Sequence, residues 1–142
     1  MLTIADFELA GRLLLATFLG GVIGWEREHA HRPAGLRTNM LVALGSALFT
    51  ILSFTAFGSQ ADPSRVAAQI ITGIGFLGAG TLMRTGEWVR GLTTAAGLWT
   101  VAAIGMAVGA GQYELAIATT AIALIILVVV RLFETDKSQN TE

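Results

Sequence analysis

Thr93-Thr94-Ala95-Ala96-Gly97-Leu98-Trp99-Thr100-Val101-Ala102-Ala103-Ile104-Gly105-Met106-Ala107-Val108-Gly109 runs without one ionisable side chain. At a rise of about 1.5 Å per residue, a helix of this length covers most of a hydrocarbon core about 30 Å thick. Four more apolar runs flank it: Phe7–Trp25, Thr38–Phe57, Arg65–Met83 and Glu114–Phe133. A bilayer tolerates only segments that satisfy their own backbone hydrogen bonds, so each run is expected to be a helix. The predicted fold is therefore an all-α membrane protein, a bundle of five transmembrane helices. It forms one domain over residues 1–133, followed by a short cytoplasmic tail at 134–142.

Composition points the same way. The chain is 54% hydrophobic and 13% charged, with a mean hydropathy of +0.67, against a charged share of about 25% in soluble domains. A formal net charge of −1 gives no electrostatic basis for a nucleic-acid partner. With no cysteine there is neither a disulfide framework nor a thiolate metal site. The first run lacks a basic lead and a small-residue cleavage site, so it is expected to remain as a helix.

The basic residues set an orientation. Arg27, Arg32, Arg37, Arg84, Arg90, Arg131 and Lys137 fall on one side of the alternating spans, and only Arg12 and Arg65 on the other. The positive-inside rule then predicts an outer N-terminus and a cytoplasmic C-terminus. Asp6, Asp62-Pro63 and Thr93 or Thr94 are expected to start helices, and Trp25, Trp88 and Tyr113 to sit at the interfaces.

Glycines occur in the first run (Gly20, Gly21, Gly24), the third (Gly73, Gly75, Gly78, Gly80) and the fourth (Gly97, Gly105, Gly109). Small residues let helices approach closely where lipid removes the hydrophobic drive. The expectation is a core of helices one, three and four, with the glycine-free fifth facing lipid. Such faces also suit homo-oligomerisation, a dimer above other states. Gly73-Ile-Gly75-Phe-Leu-Gly78 matches a dinucleotide-binding spacing. It lies within a span, and Thr93, Thr94, Ala95 and Ala96 occupy the place of the required acid, so no cofactor is expected.

Polar groups near the spans are candidates for function. Glu8 and Arg12 are four apart, as are Arg65 and Gln69; with Asp62 they are expected to converge at the outer mouth, as local ion pairs or as a contact site for an ion. A second set, Glu26, Arg27, Glu28, Arg37, Asn39, Arg84, Glu87, Arg90, Thr93 and Thr94, is expected at the cytoplasmic face. It reads either as an interfacial charge network or as a docking surface for protein or anionic headgroups. His29 and His31 sit on different sides of a helix, so no metal centre is expected. Without a nucleophile–base pair, H-E-x-x-H or P-loop, no catalytic residue is assigned.

Gly20-Gly-Val-Ile-Gly24-Trp-Glu26-Arg27-Glu28, followed by Pro33-Ala-Gly-Leu-Arg37-Thr-Asn39, resembles the start of the MgtC/SapB family of bacterial inner-membrane proteins. Arg65-Val-Ala-Ala-Gln69-Ile-Ile-Thr-Gly73 and Val89-Arg90-Gly91-Leu-Thr93-Thr94-Ala-Ala-Gly-Leu-Trp99 resemble its third and fourth spans. The resemblance implies a five-helix protein linked to growth at low magnesium and, in pathogens, to survival in host cells. It implies action on partners such as the F-type ATP synthase or other membrane systems, rather than direct magnesium transport. It points to Glu26, Arg27, Arg37, Asn39, Arg65, Gln69, Arg90, Thr93, Thr94 and Trp99. The resemblance implies that long members carry a cytoplasmic C-terminal regulatory domain, which is not expected in the short tail after Phe133, and that some have Asn at Thr93 and Cys at Thr100. The expected function is non-enzymatic regulation of partner membrane proteins in ion homeostasis; the alternative is an oligomeric magnesium or potassium channel or carrier.

Overall fold

A computed structural model describes residues 4–56, 62–85 and 88–132. The predicted tail at 134–142, Glu87 and Lys137 lie outside those residues. The chain runs α1 (Ile4–His29), α2 (Leu36–Thr55), α3 (Ser64–Gly80), β1 (Met83–Thr85), β2 (Trp88–Arg90), α4 (Leu92–Gly109) and α5 (Tyr113–Ile125). A π-helical segment, Ile126–Val130, continues α5. α1, α2, α4 and α5 with its extension are long and apolar enough to cross a membrane. α3 has 17 residues, about 26 Å of helix, slightly short of the hydrocarbon thickness.

Helix α4 is the axis of the bundle and touches α1, α2, α3 and α5. Leu98, Val101, Ile104 and Val108 are its buried side chains; they meet Ala16, Leu19 and Ile23 of α1 and Ala43 and Ala47 of α2. The glycine spacings mark close approaches. A Cβ at Gly20 would lie 2.6 Å from the Asn39 carbonyl oxygen, and one at Gly24 2.8 Å from Leu36 Cα. Gly105 is pressed against the Ala43 carbonyl in the same way.

The helix on which both glycine pairs pack is α2, which corrects the expected core of helices one, three and four. Its small surface comes from Ala43, Ser46, Ala47 and Thr50 rather than from glycine. The helix set apart is α3, where only Ile74 and Gly78 are buried. A Cβ at Gly73, Gly75 or Gly80 would meet nothing within 4 Å. Helix α5 buries only Ala116 and Thr120, with Leu127 in its extension, in keeping with a lipid-facing role. Two buried hydroxyls return to their own helices, Thr50 donating to the Ser46 carbonyl and Thr120 to that of Ala116, each at 2.8 Å, whereas that of Ser53 crosses to the Pro63 carbonyl before α3.

The segment between α3 and α4 is a short antiparallel hairpin, with Met83 opposite Arg90 and Thr85 opposite Trp88. Gly91 then starts α4 at φ +96°, with no side-chain cap, so the expected Thr93 or Thr94 cap is not formed. A side chain at 91 would collide with the Thr81 carbonyl. Glycine is required there for both backbone and space.

Candidate functional site

Four chain segments meet at one end of the bundle: the last turn of α1, the start of α2, the start of α4 and the end of α5. Arg27 is buried there, 6% exposed. Its guanidinium donates to Thr94 Oγ1 at 3.4 Å and lies 3.6 Å from Glu26 Oε2. Glu26 Oε1 is 3.7 Å from Arg131 Nη1, so one carboxylate serves two cations. A buried arginine is tolerable only with such partners, because desolvation penalises an isolated charge.

Local structure explains the convergence. His31 and Ala34 adopt left-handed backbone (φ 53° and 57°) and turn the chain back after α1. The Glu28 carboxylate then accepts the Leu36 N–H at 2.8 Å, satisfying an otherwise orphaned donor at the start of α2. Asn39 is buried, and its amide donates to the carbonyls of Ala34 (2.6 Å) and Gly35 (2.8 Å). Its place is therefore in the loop's framework rather than on a contact surface. A cavity of about 370 Å³ opens beside Arg27, lined also by Arg32, Arg131, Thr93, Thr94 and Gly91.

Other predicted residues lie elsewhere. Arg37 is exposed and lines a groove of about 790 Å³ between α2 and α3, whose lining also includes Arg65, Gln69, Ser46, Gly45 and Gly73. Arg90 is exposed on β2. Trp99 is exposed on α4 and borders a hollow of about 140 Å³ with Ile71 and Met106. Asp62 accepts the Ser64 N–H at 2.9 Å. Ser64's hydroxyl and N–H hold the Asp62 carboxyl below its ordinary value.

At the end opposite Arg27, the predicted polar group is split. Arg12 donates to Glu8 Oε1 (2.7 Å) and to the Gly109 carbonyl (2.9 Å), and it lies 5.8 Å from the Tyr113 ring centroid. That places it among α1, α4 and α5, whereas Arg65 and Gln69 belong to the α2–α3 groove. Sequence reasoning also passed over Arg32 and Arg131 as site residues, although both were counted for topology. For Arg32 the available signal was its place five residues after Arg27. Among the described residues, no three His, Cys, Asp or Glu side chains gather to hold a metal ion.

A small-residue-packed helical bundle with four apolar helices of membrane-crossing length is a multi-pass membrane protein. Residues 13–135 match the MgtC family, and the chain belongs to it. It is 53% identical over 119 residues to protein MgtC of Salmonella typhimurium LT2, covering 84% of this chain and 51% of that protein. It is 46% identical over 127 residues to "Putative magnesium transporter YhiD" of Escherichia coli K12, covering 84% of this chain and 59% of the relative. Protein MgtC of Brucella abortus is 56% identical over 103 residues, covering 72% of this chain and 41% of its own length. The chain thus spans about half the length of the curated relatives it matches. No solved structure gives a significant match.

Proposed function

We propose that the protein is a non-enzymatic regulator in magnesium homeostasis, acting through contact with a partner membrane protein such as the F-type ATP synthase or a transporter. It works in the bacterial inner membrane as five spans, N-terminus outside and C-terminus cytoplasmic, and as a homodimer. The family membership and the names of its relatives support the magnesium link. The observation that carries the regulatory reading is the lining of the α2–α3 groove. That passage has guanidiniums, Arg37 and Arg65, among its lining and no carboxylate. Magnesium is a hard cation that binds through carboxylates and retained waters, so this lining repels it.

The second reading, an oligomeric magnesium or potassium conduit, draws on the same groove, which a second copy would have to close. Thr38, Ser46 and Gln69 are its uncharged polar groups. Flux of magnesium and potassium into liposomes under an imposed potential separates the two. The regulator predicts flux equal to that of empty vesicles, with retention of the partner on co-purification that Arg37→Ala or Arg90→Ala abolishes. Flux that Gln69→Ala removes would overturn it.

A further inference from the structure

The cavity beside Arg27 has a chemistry that partner docking does not use. Three guanidiniums, those of Arg27, Arg32 and Arg131, line one concave space of about 370 Å³. They are close enough for the like charges of Arg32 and Arg131 to act on Arg27. The carboxylate contacting this set among the described residues is Glu26, shared by Arg27 and Arg131 at 3.6 and 3.7 Å. Like-charge crowding in a partly enclosed space is unfavourable unless an anion relieves it.

The donors surround the space from several directions. Arg27 comes from α1, Arg32 from the loop after it, Arg131 from beyond the π-helical segment, and Thr93 and Thr94 from the first turn of α4. A planar carboxylate offers its lone pairs in one plane, whereas a tetrahedral phosphoryl group can accept from all these sides. Guanidinium forks match phosphate oxygens in bidentate fashion, and hydroxyls complete the shell. Arg27 is already immobilised by Thr94 and Glu26, so less freedom is lost when a ligand binds. The start of α4 carries no side-chain cap, and its dipole adds to the same field. The rest of the lining includes the apolar Pro33, Ile126, Leu127 and Val130. Ile126 and Val130 continue onto the exposed flank of α5, so an acyl portion has a path away from the site.

The geometry points to a phosphoryl-binding site in this cavity, holding the phosphate of an anionic lipid headgroup or of a soluble phosphate compound between Arg27, Arg32 and Arg131. The site stands apart from the regulator reading and holds whether or not a partner protein exists.

The test uses the full chain purified in neutral detergent. Phosphatidylglycerol is compared with phosphatidylcholine of the same acyl chains by native mass spectrometry. Inorganic phosphate is compared with chloride at matched ionic strength by thermal unfolding. Preferential retention of phosphatidylglycerol alone assigns a lipid headgroup. A rise in unfolding temperature with phosphate alone assigns a soluble phosphate, and both responses assign a pocket indifferent to the rest of the ligand. In each case the double substitution Arg32→Ala, Arg131→Ala weakens binding at least about tenfold, as expected for lost charge-assisted hydrogen bonds. If the double variant does not fold, Arg32→Ala alone, at an exposed position, gives the same comparison. Binding of neither probe, or equal binding by wild type and folded variant, overturns the site.

Discussion

The carbonyl oxygen of Ala47 in α2 lies 2.6 Å from where a Cβ on Gly109 of α4 would stand. The two backbones touch without an intervening side chain, and Gly105 meets the Ala43 carbonyl one turn away. Gly109→Ala or Gly105→Ala forces the helices apart and destabilises the bundle by about 1–3 kcal/mol, the usual cost of overpacking. Gly73→Ala and Gly75→Ala enter open space, and there the better helix propensity makes them neutral to stabilising by up to about 1 kcal/mol. Thermal unfolding in one detergent checks the contrast; equal losses at all four positions would sink it.

Arg27 and Glu26 form a second point of sensitivity. Glu26 Oε2 is buried with no hydrogen-bond donor and relies on the nearby guanidinium. Arg27→Ala is expected to cost roughly 3 kcal/mol, because it leaves the buried Glu26 Oε2 without its guanidinium and only the half-exposed Arg131 beside the other oxygen. Thr94→Ala removes one long hydrogen bond and costs about 1 kcal/mol. The pair Glu26→Gln, Arg27→Met costs less than Arg27→Ala alone. Denaturation midpoints of the three variants give the order.

Arg12 and Glu8 form an ion pair of unequal members. Glu8 is exposed and its pairing is screened by water, so Glu8→Ala costs about 0.5 kcal/mol or less. Arg12 also donates to the Gly109 carbonyl, an acceptor at the end of α4. Arg12→Ala is expected to cost about 1.5–3 kcal/mol. Raising salt reduces the Glu8 effect and leaves most of the Arg12 effect, measurable in the same unfolding assay.

Asp62 sets a pH dependence at the start of α3. Hydrogen bonds from Ser64, hydroxyl first and N–H second, hold its folded-state pKa below the unfolded value. The sign follows: its contribution is present above the unfolded carboxylate pKa of about 3.9 and is lost as pH falls through the lower folded value. Faster amide exchange at Ser64 and Arg65 in acid is expected after correction for intrinsic rates, and Asp62→Asn removes that pH step. An unchanged step in the variant would place the titration elsewhere.

The helices were legible because the apolar runs are long and end in charged or turn-forming residues; the runs beginning at Thr93 and Glu114 start within one residue of α4 and of α5. The packing order was less legible. Glycine is conspicuous in a sequence, and α3 carries four, yet three of them face open space. The α2 surface against the α4 glycines is built from Ala43, Ser46, Ala47 and Thr50, whose spacing of three and four was the sign in the sequence, and Leu36, Asn39 and Ala43 meet the α1 glycines. Glu26, Arg27 and Thr94 were assigned to one polar set from sequence, and the structure brings them into contact. Arg131 completes the set from more than one hundred residues away, a distance that local pattern cannot bridge. Met83 was expected to end the third span and instead opens β1, because a segment that short carries no helical period.

Because α3 buries only Ile74 and Gly78, the molecule has a hierarchy of detachment. Separating α3 from the rest sacrifices little contact, while pulling out α4 dismantles everything that leans on it. Free energies of local opening are accordingly highest in α4, which every other helix contacts, and lower in α3 and α5.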